Sequence, residues 1–120
     1  MKYEVELYEK LDGECPVLDF IRSLSPKQQA KVYREIDLLQ EFGSDLHLPH
    51  VRKMEGNANK DLWELRIKLA SDDFRIVYFV FCKKECVLLN GFRKKSTRTP
   101  VNELEVARNR MNDYIRRIGL

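Results

Sequence analysis

The sequence predicts an α+β domain in which helices flank a small antiparallel sheet. Three observations predict this class. An alternating segment begins the chain, two helix-start signals follow it, and residues 63–92 alternate apolar and polar side chains through two turns. A third helix-start signal comes later, at residues 99–103. A chain of 120 residues suits one core, so we expect residues 1–120 to form a single domain.

The first third of the chain predicts one strand and two helices. Residues 3–8 alternate apolar and polar side chains, which is typical of a strand. A second helix should start at Ser25, because Ser25 can cap it and Gln28 completes a capping box, and Gly43 is its expected end. Before it, Pro16 opens a short helix with an apolar face of Val17, Leu18, Ile21 and Leu24.

The middle of the chain predicts a loop over residues 44–61 and then a meander of three antiparallel strands. The strands are expected at residues 63–69, 74–81 and 86–92. One face of this sheet is apolar throughout, so we expect the helices to pack on it.

The alternation also predicts the register of the first hairpin. Pairing Leu69 with Phe74 places Lys68 opposite Arg75, with Arg66 diagonal to it on the same polar face. Like charges that face each other destabilise a sheet. A face that gathers cations in this way is expected to meet an anion.

In the second hairpin, pairing Phe81 with Cys86 places Arg75 opposite Phe92. An aromatic ring beside a cationic strip is typical of RNA binding, because the ring stacks a base while the cations hold phosphates. The same residues also fit a solvated loop beside a core phenylalanine. The strip that follows Phe92 has four cations and no carboxylate, namely Arg93, Lys94, Lys95 and Arg98.

The last predicted element is a helix. Thr99 is expected to cap it, Pro100 to occupy its first turn, and Glu103 to suit the positive end of its dipole. Tyr114 is expected on its solvated face. The predicted buried stripe consists of Leu104, Ala107, Met111, Ile115 and Ile118.

The charge distribution favours an anionic partner. Residues 1–50 carry 6 Lys/Arg and 10 Asp/Glu, a net charge of −4, whereas residues 51–120 carry 16 and 9, a net charge of +7. Nucleic acid is the first candidate for the basic part.

Composition indicates a cytoplasmic protein. No apolar run approaches the roughly 18 residues of a membrane span, and the charged N-terminus lacks the apolar segment of a signal peptide. Three cysteines do not form a disulfide framework. Cys82 and Cys86 are expected to flank a turn, and we predict neither a metal site nor a cofactor.

Several enzyme classes are excluded by the motifs. The sequence has no Gly-rich phosphate loop and no Ser-His-Asp or Cys-His arrangement. Metal-independent RNA cleavage needs none of these, because the substrate's own 2′-OH attacks the phosphorus and Arg or Lys stabilises the dianionic transition state. A lysine crowded by other cations has a lowered pKa, so Lys94 or Lys95 is a candidate for proton transfer.

Several segments in order resemble HigB-type toxins of the RelE/ParE superfamily. They are residues 62–67 (LWELRI), 74–78 (FRIVY) and 88–96 (LLNGFRKKS), continued through Thr99 and Pro100 into the last helix. The resemblance extends over residues 48–115. Asn90 stands where that family commonly has a histidine, and Ser96 where it commonly has a threonine.

The resemblance implies a RelE-like fold and a type II toxin that cleaves messenger RNA on the ribosome. It also implies neutralisation by a HigA-like antitoxin with a helix-turn-helix domain, in a hetero-oligomer. By motif, the catalytic residues would be Arg66, Arg75, Lys94 and Lys95. The RNA-binding residues would be Lys68, Phe92, Arg93 and Arg98.

Two other functions fit the same fold. ParE-like members of the superfamily poison DNA gyrase, although they generally lack the basic strip at residues 93–98. A non-catalytic binding module is the other alternative, since fold does not fix function. Trp63 is interpreted as a core residue, and Arg52 and Lys53 either extend an RNA surface or belong to a plain surface loop.

Overall fold

The structure is a computed structural model that describes residues 2–119. Within this range it contains a five-stranded sheet and three α-helices, which confirms the α+β class. The strands are β1 (Glu4–Leu7), β2 (Val51–Lys53), β3 (Trp63–Leu69), β4 (Asp72–Phe81) and β5 (Glu85–Arg93). The helices are α1 (Pro16–Arg22), α2 (Pro26–Phe42) and α3 (Val101–Tyr114).

The strand order is β1-β5-β4-β3-β2. β1 runs parallel to β5, whereas β2 to β5 pair antiparallel, so the predicted meander is confirmed. No helix in the described part of the chain is long and apolar enough to cross a membrane.

Helices cover both faces of the sheet, and the expectation that all would pack on one face was wrong. The central strands β4 and β5 are apolar on both sides, as sheets buried on both faces are. On one face, α1 and α2 enclose a first core that includes Val17, Ile21, Leu39, Ile67, Ile76 and Leu88. On the other, α3 encloses a second core that includes Val77, Phe79, Leu89, Leu104, Ala107 and Met111.

The predicted start of α1 at Pro16 and both predicted ends of α2 are confirmed. α2 has the capping box: the backbone N–H of Gln28 donates to Ser25 Oγ at 3.2 Å, and the backbone N–H of Ser25 donates to the side-chain oxygen Oε1 of Gln28 at 2.9 Å. Gly43 ends the helix with a φ of 48°. Glycine is required there, because the Tyr3 ring lies where a Cβ would project.

The loop expected at residues 44–61 contains the short strand β2. Val51 is buried and pairs with Leu65 on β3, while the other two residues of β2 are exposed. Three residues are too few for an alternation pattern to predict a strand.

The first hairpin is tighter than predicted. Leu69 pairs with Asp72 rather than with Phe74, around a two-residue turn in which Ala70 has a φ of 55°. A shift of two residues keeps every side chain on its predicted face.

This register changes the cross-strand neighbours. Arg66 lies directly opposite Arg75, and Lys68 lies opposite Asp73 rather than opposite Arg75. A like-charged pair is therefore present on this face, but the partner of Arg75 is Arg66, which lies two residues along β3 from Lys68.

The second hairpin contains a β-bulge. Phe81 pairs with Glu85 rather than with Cys86, yet Arg75 pairs with Phe92 as predicted. The bulge between these positions takes up the one-residue difference.

α3 begins one residue later than its predicted cap, with Pro100 rather than Thr99 at the N-cap position. The buried stripe holds for Leu104, Ala107 and Met111. Tyr114 is buried and Ile118 is 59% exposed, the reverse of the expectation. A π-helical turn at Ile115–Gly119 changes the helical phase there.

Candidate nucleic-acid interface

A basic groove of about 380 Å³ lies between β2 with its following turn and the segment that joins β5 to α3. Its lining contains one carboxylate, Glu55. Four cations line it: Arg52, Lys53, Lys94 and Arg98. From the sequence, Arg52 and Lys53 either extend an RNA surface or belong to a plain surface loop. The fold places them in one groove with Lys94 and Arg98 of the predicted basic strip.

Lys94 is partly buried, whereas the other three cations of the groove are exposed. Its backbone N–H donates to the Asp73 carbonyl at 2.7 Å, which fixes the residue beside β4. Partial burial lowers the pKa of the Lys94 ammonium, and the nearby Arg75 charge lowers it further. The carboxylates of Glu64 and Asp73 oppose this, but the net direction is downward. The pKa of Lys94 is thus lowered first by burial, and the neighbouring cations that the sequence pointed to are the smaller cause.

Arg75 is 2% exposed and bound by two carboxylates. Its Nη1 donates to Glu64 Oε1 at 2.7 Å. Its Nε and Nη2 donate to the two oxygens of Asp73 at 2.7 and 2.9 Å, a bidentate pair. Three carboxylate oxygens therefore hold the guanidinium, and Arg75 does not line the basic groove.

Sequence reasoning missed Glu64 as a member of this site. Its side chain is fully buried and lies on the same face of β3 as Arg66. It accepts a short hydrogen bond from the Thr99 hydroxyl as well as one from Arg75. Thr99 therefore ties the segment before α3 to the sheet instead of capping the helix. The available signal was the single carboxylate of β3, on a face that otherwise carries the cations Arg66 and Lys68.

The Asn90-Gly91-Phe92 segment is structural. Asn90 Nδ2 donates to Glu103 Oε1 at 2.8 Å and so attaches α3 to β5. Gly91 leaves room for the ring of Phe20, which lies 2.5 Å from where a Cβ would stand. Phe92 is 7% exposed in the second core, so a base cannot stack on it without displacing that core. The core interpretation of Phe92 is the one that the structure supports.

The other members of the basic strip separate. Arg93 points to the opposite face, where its guanidinium carbon lies 4.8 Å from the Phe74 ring centroid and its Nη1 bonds Asp72 Oδ1 at 2.7 Å. Lys95 is exposed and lines neither the groove nor the cavity described next. Arg98 lines the groove with Lys94. Alternation at the end of β5 explains why Arg93 and Lys94, which follows it beside β4, face opposite ways.

A second cavity, here called the edge pocket, has a volume of about 160 Å³. It is lined by Lys31, Glu35, Pro49, His50, Arg66 and Lys68. The structure therefore places Arg66 and Lys68 in a different cavity from Lys94 and Arg98. The eight predicted site residues do not form one cluster.

A family model described as "Phage derived protein Gp49-like (DUF891)" matches residues 19–112. The chain belongs to this family. Gp49-like proteins are a toxin family of toxin–antitoxin systems, related to RelE/HigB-type toxins, and they are generally mRNA-cleaving nucleases. A search of curated proteins finds no match.

The matched range covers both cavities and most of the three helices. The predicted relation to RelE/HigB-type toxins is confirmed at the level of this related family. The finer HigB assignment and the predicted roles of individual residues stay predictions.

Proposed function

We propose that this Gp49-like protein is an endoribonuclease toxin that cuts messenger RNA on the ribosome without a metal ion. The observation that carries the proposal is Lys94, a partly buried amine with a lowered pKa in a groove lined by three further cations. A cognate antitoxin with a helix-turn-helix domain would neutralise it in a hetero-oligomer.

The groove suits the phosphates of a single RNA strand. Among residues 2–119, Arg52 forms a salt bridge only with Glu55, at 3.6 Å and with both side chains solvent-exposed, so a phosphate competes easily for it. Arg98 is exposed beside it. The first turn of α3 borders the same space through Val101 and adds the positive end of a helix dipole.

Lys94 is proposed as the general base. The neutral amine takes the proton of the 2′-OH as the 2′ oxygen attacks the adjacent phosphorus, and the bond from phosphorus to the 5′ oxygen breaks. The products are a 2′,3′-cyclic phosphate and a 5′-hydroxyl, the latter protonated from water. The resulting Lys94 ammonium, with Arg52 and Arg98, stabilises the dianionic transition state.

Arg75 is proposed as a positioning residue that acts through Lys94. Its guanidinium is held by Glu64 and Asp73, and its charge lowers the pKa of the Lys94 ammonium. Asp73 in turn holds the Lys94 backbone. Lys95 is exposed in the segment that joins β5 to α3, and it is proposed to attract RNA without taking part in proton transfer.

The test compares Lys94→Met with Lys95→Met in single-turnover cleavage of a messenger fragment, with and without ribosomes. We expect Lys94→Met to lose about 10²- to 10⁴-fold, the usual contribution of a general base, and Lys95→Met to lose far less. Equal losses, or none, would contradict the role of Lys94.

Induced expression in a bacterial host, with RNA 5′ ends mapped, tests the activity itself. New cuts in translated messages that disappear in Lys94→Met are expected. Growth arrest with intact messages would favour a gyrase poison, and the absence of arrest would favour a binding module.

A further inference from the structure

We propose that the edge pocket is a second phosphate site, which holds the same RNA strand away from the bond that is cut. This inference rests on the proposed function and adds a binding site to it. The pocket lies at the start of β2, where β3 extends past it with a free edge: the Arg66 amide still bonds the His50 carbonyl at 2.8 Å, and residues 67–69 of β3 have no β2 partner.

The charge in the edge pocket is unbalanced. Its one carboxylate, Glu35, is 5% exposed and already engaged on both oxygens. Lys31 Nζ lies 3.1 Å from Glu35 Oε2, and His50 Nδ1 lies 2.9 Å from Oε1. Within residues 2–119, neither Arg66 nor Lys68 has a salt-bridge partner. Two positive charges therefore remain available to a bound anion.

Arg66 also has an unsatisfied donor. Its Nε is buried and has no hydrogen-bond partner in the described part of the chain. A buried N–H without an acceptor is destabilising, and an oxyanion would remove that cost. The planar guanidinium presents two parallel donors that match phosphate oxygens. A space of about 160 Å³ holds roughly five water molecules, or one phosphate group in their place.

The edge pocket and the basic groove lie on one path across the sheet. Lys68 pairs with Asp73 across β3 and β4, and Asp73 bonds the Lys94 amide across β4 and β5. Lys68 and Lys94 are thus two strand spacings apart, about 10 Å. A few nucleotides of single-stranded RNA span this distance, so one strand can reach both sites. This continuity favours RNA over a carboxylate of a protein partner.

The experiment measures binding of two non-cleavable 2′-O-methyl RNAs, a dinucleotide and a hexanucleotide, across a range of salt. Arg66→Gln and Lys68→Gln are compared with wild type and with Lys84→Gln. Lys84 is an exposed cation in the turn at the other end of the sheet and serves as the matched control. Circular dichroism checks that each variant is folded.

We expect Arg66→Gln and Lys68→Gln each to weaken hexanucleotide binding about tenfold and to lower the salt slope by about 0.7, the loss of one phosphate contact. Dinucleotide binding and the Lys84→Gln control should be unchanged. If both variants bind the hexanucleotide as tightly as wild type does, the second site alone is overturned. Wild type that binds neither RNA would overturn the RNA role of the basic groove as well, whereas the cleavage assay with ribosomes tests the proposed function itself.

One outcome would reassign the pocket. If Arg66→Gln keeps full RNA affinity but no longer retains a co-expressed antitoxin, the anion is a carboxylate of that protein and the RNA site is wrong. Equal losses for both RNAs would also overturn it, because they would place Arg66 at the cleavage groove.

Discussion

Arg66 and Arg75 face each other across β3 and β4, yet their surroundings are opposite. Arg75 is enclosed by Glu64 and Asp73, which satisfy three of its nitrogen atoms. Arg66 has no ion pair within residues 2–119, and its Nε lacks an acceptor. The comparison teaches that an arginine whose nitrogen donors are all bound to carboxylates holds the surrounding residues in place, whereas an arginine without an ion pair has donors available for a ligand.

Substitution of Arg75, the arginine bound by two carboxylates, should have the largest effect on stability. Arg75→Gln leaves the buried Glu64 carboxylate without its charged partner, and removing one member of a buried pair destabilises a protein by about 3–5 kcal/mol. Urea denaturation measures this loss. The double variant Arg75→Gln with Glu64→Gln should recover part of it, and a double variant as unstable as the single one would contradict the pairing.

Thr99→Val probes the same network at its link to α3. The hydroxyl bonds a buried carboxylate, so its removal should lower the free energy of unfolding by about 1.5–3 kcal/mol. Because the link also orders the segment at residues 94–99, cleavage activity should fall with it. Thermal denaturation gives the first quantity, and an unchanged melting temperature would remove Thr99 from the network.

Arg66→Gln should affect stability far less than Arg75→Gln. The substitution removes an unsatisfied charged donor, so we expect a change in unfolding free energy within about 1 kcal/mol, in either direction. The same urea experiment measures it. A loss as large as that of Arg75→Gln would mean that Arg66 is structural and would end the contrast between the two arginines.

Acid should weaken the ion pair between Arg75 and Asp73. The hydrogen bonds from Arg75 hold the pKa of Asp73 below its ordinary value of about 3.9. Asp73 thus contributes stability that is present above its unfolded pKa and is lost as pH falls through its lower folded pKa. Asp73→Asn should flatten the decline of stability below about pH 4. A decline identical to that of wild type would contradict this assignment.

Local signals predicted much of the fold. The capping box at Ser25 and Gln28 depends on residues three apart, and the alternation of β3 to β5 depends on single strands. The face on which Arg66 and Arg75 lie was also predictable. A register error of two residues leaves the face unchanged.

The partners across strands were not predictable from local signals. Glu64 reaches Arg75 only in the observed register, and Arg52 reaches Lys94 only because a three-residue strand places it there. The separation of Arg66 from Lys94 into two cavities depends on where β2 begins, which no pattern in the sequence marks.

The pH dependence of single-turnover cleavage tests the central role of Lys94 most directly. With Lys94 as general base, the logarithm of the rate should rise with a slope of 1 and level off at the lowered pKa of Lys94, below the ordinary 10.4 of lysine. Lys94→Arg, which keeps the charge but not the titration, should lose both the activity and the slope. A Lys94→Arg protein with wild-type rate and profile would contradict the account.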